Sequence, residues 1–199
     1  IRFDSADIGQ PWLGSIAQNR ALVAALHARL AELPAARVLV PALLDDWEVR
    51  ADRAIVRLGD GRELTARLLV GADGAASPLR LRAGIGATAD DFGQCALVGH
   101  VATERPHADT ARQRFLATGP LAFLPLADGR CSIVWSTTPP EAQRLAALPA
   151  GEFMLELGLA FEHRLGEITA IGERAVIPLR GLEAARYIGP RLALIGDAA

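Results

Sequence analysis

Two short stretches of this sequence end an apolar run on a glycine and aspartate. One is Leu68-Leu69-Val70-Gly71-Ala72-Asp73-Gly74-Ala75-Ala76-Ser77-Pro78-Leu79-Arg80, the other Arg191-Leu192-Ala193-Leu194-Ile195-Gly196-Asp197-Ala198-Ala199. In each, a strand delivers one carboxylate to a loop with little side-chain bulk around it. The carboxyl ends of strands are where open α/β sheets bind ligands. Ser77 and Pro78 read as the N-cap and first residue of a helix, whose free N–H groups suit a pyrophosphate or ribose edge. Plain structural readings compete: Asp-Gly is common turn punctuation, and Asp197 is well suited to cap a helix that its own loop begins.

Other polar residues carry weaker signals. Arg20 lies one turn into the first expected helix, where a solvated arginine is the alternative reading, and Arg80 reads as a partner that shapes its loop. His27 and His163 look like surface or capping histidines. His100 and His107 have no acid or nucleophile at a recognisable spacing, so a Ser-His-Asp arrangement is not supported. Cys95 and Cys131 have no His or Cys at metal spacing and read as buried thiols of a reducing compartment. No metal constellation is present, and no catalytic residue is assigned. The hairpin from Leu121 to Trp135 is apolar on both faces, although a sheet with one wet face should alternate. Something must cover the second face. Phe123 and Trp135 are candidates for the wall of an apolar substrate cavity, and packing by a helix from about Glu152 to Leu165 is the competing reading.

These residues need elements to hold them. Ser15 to Gln18 has the form of a capping box, and Val23, Leu26, Leu30 and Leu33 recur at helical spacing, so a helix is expected at about 16 to 33. Strands are expected at 37–40, 44–50, 54–58 and 63–72, with Gly59-Asp60-Gly61 turning a hairpin and Leu68 to Val70 buried on both faces. A short helix after Ser77 ends at Gly84. From Cys95 the pattern becomes antiparallel: strands at 95–103, 112–117, 121–126 and 130–137, the last two joined through Asp128-Gly129. Thr138-Pro139-Pro140-Glu141 reads as a second capping box, and strands return at 168–179 and 191–195. The order predicts an α/β (α+β) chain of two parts: 1–84 with the return strand 185–199, and an antiparallel-sheet region at 85–184.

Composition narrows the function classes. A hydrophobic content of 51% is ample for a core, and 21 basic against 23 acidic residues without a block of like charge leaves no footprint for nucleic acid. No apolar run reaches the roughly 20 residues needed to span a bilayer. The chain opens on Ile1 in mid-pattern and stops after Gly-Asp-Ala-Ala, so an internal piece of a longer protein is expected.

The run from Leu68 to Arg80, taken with Leu192 to Ala199, resembles the flavin-dependent aromatic hydroxylases. Their motifs include a strand-Asp-Gly-x-x-Ser-x-x-Arg and a later strand-Gly-Asp-Ala-Ala; their N-terminal Gly-x-Gly-x-x-Gly is not in this sequence. Gln113 to Leu116, Gly119 to Leu126 and Ser132 to Ser136 are similar to the ubiquinone-biosynthesis branch, the 2-octaprenyl-6-methoxyphenol hydroxylase type. The resemblance implies a p-hydroxybenzoate-hydroxylase-like fold, with 1–84 and 185–199 in a Rossmann-like FAD-binding domain and 85–184 as the substrate domain. It implies FAD as cofactor, held by Asp73, Gly74, Gly196, Asp197 and Arg20, with NAD(P)H as electron donor. The implied activity is hydroxylation of a polyprenylated phenol, the chain alone being inactive. Expected partners are that phenol, a ubiquinone-biosynthesis complex or the membrane surface, and a second copy of the chain. The expected location is the cytoplasm, peripheral to the inner membrane. The rivals are a small-phenol hydroxylase, a prenyl-lipid reductase, or a scaffold protein that lost its flavin.

Overall fold

The structure is a computed structural model and describes all 199 residues. Contacts group the chain into two compact units, Ile1–Leu33 with Gly93–Leu179, and Pro34–Phe92 with Arg180–Ala199. The sequence-based division fell at 84/85 and 184/185, and the first helix belongs with the large sheet by contact. No helix is long and apolar enough to cross a membrane.

Helix α1 (Asn19–Ala31) begins three residues later than expected, because Ser15 makes no capping bond and the cap position falls on Gln18. None of its residues is buried, so the stripe of Val23, Leu26 and Leu30 is uncovered within this chain. The segment 37–40, expected as a strand, is irregular; it lies between Pro34 and Pro41 and pairs with nothing.

Three antiparallel strands follow as a meander, β1 (Leu44–Val49), β2 (Ala54–Leu58) and β3 (Glu63–Ala66). The expected single strand 63–72 is two. The chain bends at Arg67, and β4 (Leu69–Gly71) joins a different sheet. There β4 pairs in parallel with β11 (Leu192–Leu194), which also pairs with the two-residue strand β10 (Ile188–Gly189). Leu68 and Val70 are exposed, so β4 is covered on one face only, where α2 (Pro78–Arg82) brings Leu79 against Leu192 and Leu194. A Cβ on Gly71 would stand 2.7 Å from the Leu79 side chain and 2.9 Å from that of Leu194. Both leucines are buried, so glycine is what lets helix and strands close.

The large sheet has the order β6 (Arg112–Leu116), β7 (Gly119–Pro125), β8 (Cys131–Thr137), β5 (Ala87–Thr103) and β9 (Ile168–Ala184). The β2–β3 and β7–β8 turns share one construction. Asp60 and Asp128 each accept the backbone N–H two residues on, at 3.1 Å, while Gly61 and Gly129 take φ of 86° and 84°. Asparagine or glycine chemistry is what such left-handed turn positions require.

Leu121, Phe123, Ile133, Trp135, Leu97 and Val101 point from one face of the large sheet into the core, covered by α3 (Pro139–Ala147) and α4 (Ala150–Ala160) through Leu145, Phe153 and Leu157. Thr138 is the N-cap of α3, but its side chain makes no capping bond, and the Glu141 carboxylate accepts from Arg144 Nε at 2.8 Å instead of closing a capping box. Helix α4 stops at Ala160, short of the expected Leu165, where Glu162 and His163 take φ of 54° and 49°. Arg174 fastens the helices to β9: it donates to the carbonyls of Leu145 and Leu148 at 3.1 and 2.6 Å and lies over the Phe153 ring.

Candidate cofactor-binding site

The two aspartate loops leave neighbouring strands side by side. Leu194 of β11 is in register with Gly71 of β4, and the Ile195 N–H donates to the Gly71 carbonyl at 2.9 Å. Parallel pairing sends both chains out at the same sheet edge, so Ala72 to Ala75 and Gly196 to Ala198 emerge together. This is the carboxyl end of the strands, as the sequence predicts.

The two carboxylates there are used differently. Asp73 Oδ1 accepts the Ser77 hydroxyl proton at 2.5 Å, and Oδ2 accepts the Leu79 backbone N–H at 3.1 Å. Ser77 Oγ in turn accepts the Arg80 N–H at 2.9 Å. Pro78 has no N–H to satisfy, so these bonds complete the first turn of α2. Burial alone would raise the Asp73 pKa, but the Ser77 hydroxyl, the Leu79 N–H and the Arg80 charge together hold it below its ordinary value. Asp197 is exposed in a single 3-10 turn, Gly196–Ala198, whose N-cap position is Ile195. Its carboxylate forms no hydrogen bond or ion pair within the chain and does not cap that turn.

Arg80 joins the two loops. It is 4% exposed and donates to the Ala198 carbonyl at 2.9 Å and the Ala75 carbonyl at 2.7 Å. Its Nε is buried without a partner. The sequence reading had Arg80 shaping one loop; that it reaches across to the second, 118 residues away, is a property of the strand pairing that no local pattern carries.

Gly74 and Gly196 have φ of 84° and 59°, and a Cβ at either would meet nothing within 4 Å. Both face open space, at loops with one unengaged carboxylate. Those features fit a polyhydroxylated ligand such as FAD: an accessible acceptor for its hydroxyls, and bare backbone for close approach.

The remaining candidates lie in the other unit. Arg20 is exposed at the start of α1 and lines a cavity of about 720 Å³, together with Val98, His100, Leu124, Ser132 and Arg174. Phe123 is 1% exposed and stacks on Phe161 with ring centroids 3.8 Å apart; Trp135 is 7% exposed in the same core. Neither lines that cavity, whose floor is the opposite face of the hairpin. His107 accepts the Asp109 N–H at Nδ1 and bonds the Leu126 carbonyl through Nε2, which fixes it as part of its turn. No group of three or more His, Cys, Asp or Glu is arranged to hold a metal.

Residues 12–199 match the protein family described as FAD binding domain. Ubiquinone hydroxylase UbiL of Rhodospirillum rubrum is 41% identical over 187 residues, 94% of this chain and 44% of that protein. The 3-demethoxyubiquinol 3-hydroxylase of Escherichia coli is 36% identical over 199 residues, 100% of this chain and 51% of that protein. Among solved structures, PqsL, a probable FAD-dependent monooxygenase of Pseudomonas aeruginosa, is 26% identical with a TM-score of 0.74, covering 89% of this chain and 51% of that one. The chain spans about half the length of the curated relatives it matches.

Proposed function

The chain belongs to the FAD binding domain family, and from that premise we propose that it is part of an FAD-dependent, NAD(P)H-using monooxygenase that hydroxylates a polyprenylated phenol in ubiquinone biosynthesis. The observation that carries this reading is the emergence of the Asp73 and Asp197 loops at one edge of a parallel strand pair. The names of the similar proteins from Rhodospirillum rubrum and Escherichia coli support the substrate class.

In this reading FAD is held by the backbone of the Asp73-Gly74 loop and by the carboxylate of Asp197, with Gly196 giving close access; Arg20 lines the cavity of the other unit. The chemistry that FAD supplies when bound is oxygen activation at the expense of NAD(P)H. This chain's own work is binding, orientation and exclusion of water. Asp73 keeps its loop folded back on Ser77 and Leu79, and Arg80 keeps the two loops at a fixed spacing. The cofactor loops belong to the unit of Pro34–Phe92 and Arg180–Ala199, and we assign substrate binding to the large sheet of the other unit. Because Phe123 and Trp135 face the core, the greasy substrate is assigned to the opposite face, over Val98 and Leu124. A prenylated substrate also places the enzyme peripheral to a membrane.

The FAD-loaded enzyme that carries this chain is tested with NAD(P)H, ¹⁸O₂ and a prenylated phenol, the product being weighed by mass spectrometry. One ¹⁸O atom in the ring product is expected. Reduction of the lipid without oxygen incorporation would assign the chain to a reductase instead, and purification without flavin would assign it to a scaffold.

A further inference from the structure

The outer face of the large sheet carries a hydroxyl and an imidazole in one row. Along β7, β8 and β5, Leu124 stands opposite Ser132, and Ser132 stands opposite His100. Directly opposed residues of antiparallel strands share a face. The next row on these three strands, two residues along, is Ala122, Val134 and Val98, and the nearest polar side chain in it is that of Gln113 on the edge strand β6, opposite Ala122. A hydroxyl and an imidazole therefore sit side by side at the border of an apolar strip, and both line the cavity of about 720 Å³. That volume lies within the range of small-molecule sites, which are largely apolar with a few convergent polar groups.

The other charged side chains of this cavity differ in how they are held. Arg130 is bound to the carboxylate of Asp128 at 2.6 Å, and Arg174 donates to the Leu145 and Leu148 carbonyls. Arg20 and Glu173 are exposed and uncommitted. The His100 ring and the Ser132 hydroxyl make no hydrogen bond within the chain, yet they stand on sheet strands rather than on mobile stems. Sites built on strands hold their geometry more closely than sites on loops.

We propose that His100 and Ser132 are the residues that recognise the ring hydroxyl of the substrate, while the Ala122, Val134 and Val98 strip takes its apolar substituent. The imidazole accepts the phenol proton in a hydrogen bond, and the Ser132 hydroxyl donates to the phenol oxygen. His100 is then a specificity residue for a hydroxylated ring. The assignment rests on the phenol-hydroxylase reading above, and its test separates the two.

Equilibrium dissociation constants are measured on the FAD-loaded enzyme for a prenylated phenol and for its O-methyl ether. The unaltered enzyme is expected to bind the phenol about tenfold more tightly, the ratio one well-placed hydrogen bond supports. His100→Leu should bring the ratio below threefold, with ether affinity, flavin content and melting temperature unchanged, and Ser132→Ala should lower it less. His100→Gln, which keeps an acceptor, should retain most of the preference, and it serves if the leucine variant does not fold. A tenfold preference that survives in His100→Leu, or an unaltered enzyme that binds both compounds equally, overturns the assignment of His100 and Ser132 alone. An unaltered enzyme that binds neither compound overturns the phenol-hydroxylase reading with it.

Discussion

Ser77 stands between two first-turn obligations of α2, donating to Asp73 and accepting from the Arg80 N–H. Removing Asp73 strips the Leu79 N–H of its acceptor as well. Asp73→Ala should therefore lower stability at pH 7 by about 1 kcal/mol, the usual cost of losing a helix cap. The folded pKa of Asp73 is depressed below the ordinary 3.8, so its contribution is full above that value and is lost as pH falls through the lower, folded pKa. Urea unfolding of the two proteins from pH 7 to pH 3 should show their difference shrinking below about pH 4; a difference that stays constant across that range would mean that the carboxylate charge plays no part. At this scale the Asp-Gly-x-x-Ser-x-x-Arg spacing announced the loop, the cap and Arg80. It was silent on the bond by which Arg80 ties the two aspartate loops together, because its partner Ala198 lies 118 positions away and is brought close only by the pairing of β4 with β11.

The hairpin of β7 and β8 shows what a strand pattern can and cannot say. One apolar face of the hairpin is core, and period two does not tell which face meets the helices. The register puts Phe123 opposite Ile133 and under α4, stacked on Phe161. Phe123→Ala should then cost about 3 to 5 kcal/mol of stability, read by chemical denaturation. Loss of affinity for long-chain phenols with stability intact would return Phe123 to a cavity wall. Local chemistry made other elements legible: the Asp60-Gly61 and Asp128-Gly129 turns, the Ser77-Pro78 start of α2, and the helix after Thr138. The break at Arg67 was not, since strand-forming residues run through it and only the partner strand decides where β3 ends and β4 begins. The apolar stripe of α1 was correctly read as helical, but its cover is not found within this chain.

For the molecule as a whole, the sequence showed a nucleotide-type strand pair and an antiparallel sheet, and these fall in different compact units. Where the first helix groups was beyond reach, because helical spacing fixes a face and not a partner. The account depends most on the free carboxylate of Asp197, exposed beside a glycine that leaves open space. A charge-assisted hydrogen bond of about 1.5 to 3 kcal/mol corresponds to roughly ten- to a hundredfold in affinity. The direct measurement is FAD affinity by flavin fluorescence in the enzyme that carries this chain, as it stands and with Asp197→Ala, alongside the melting temperature of each apoprotein. Flavin binding weakened at least tenfold with the apoprotein melting temperature unchanged is the predicted result. Unchanged flavin affinity with a large drop in melting temperature would contradict it and make Asp197 a structural residue.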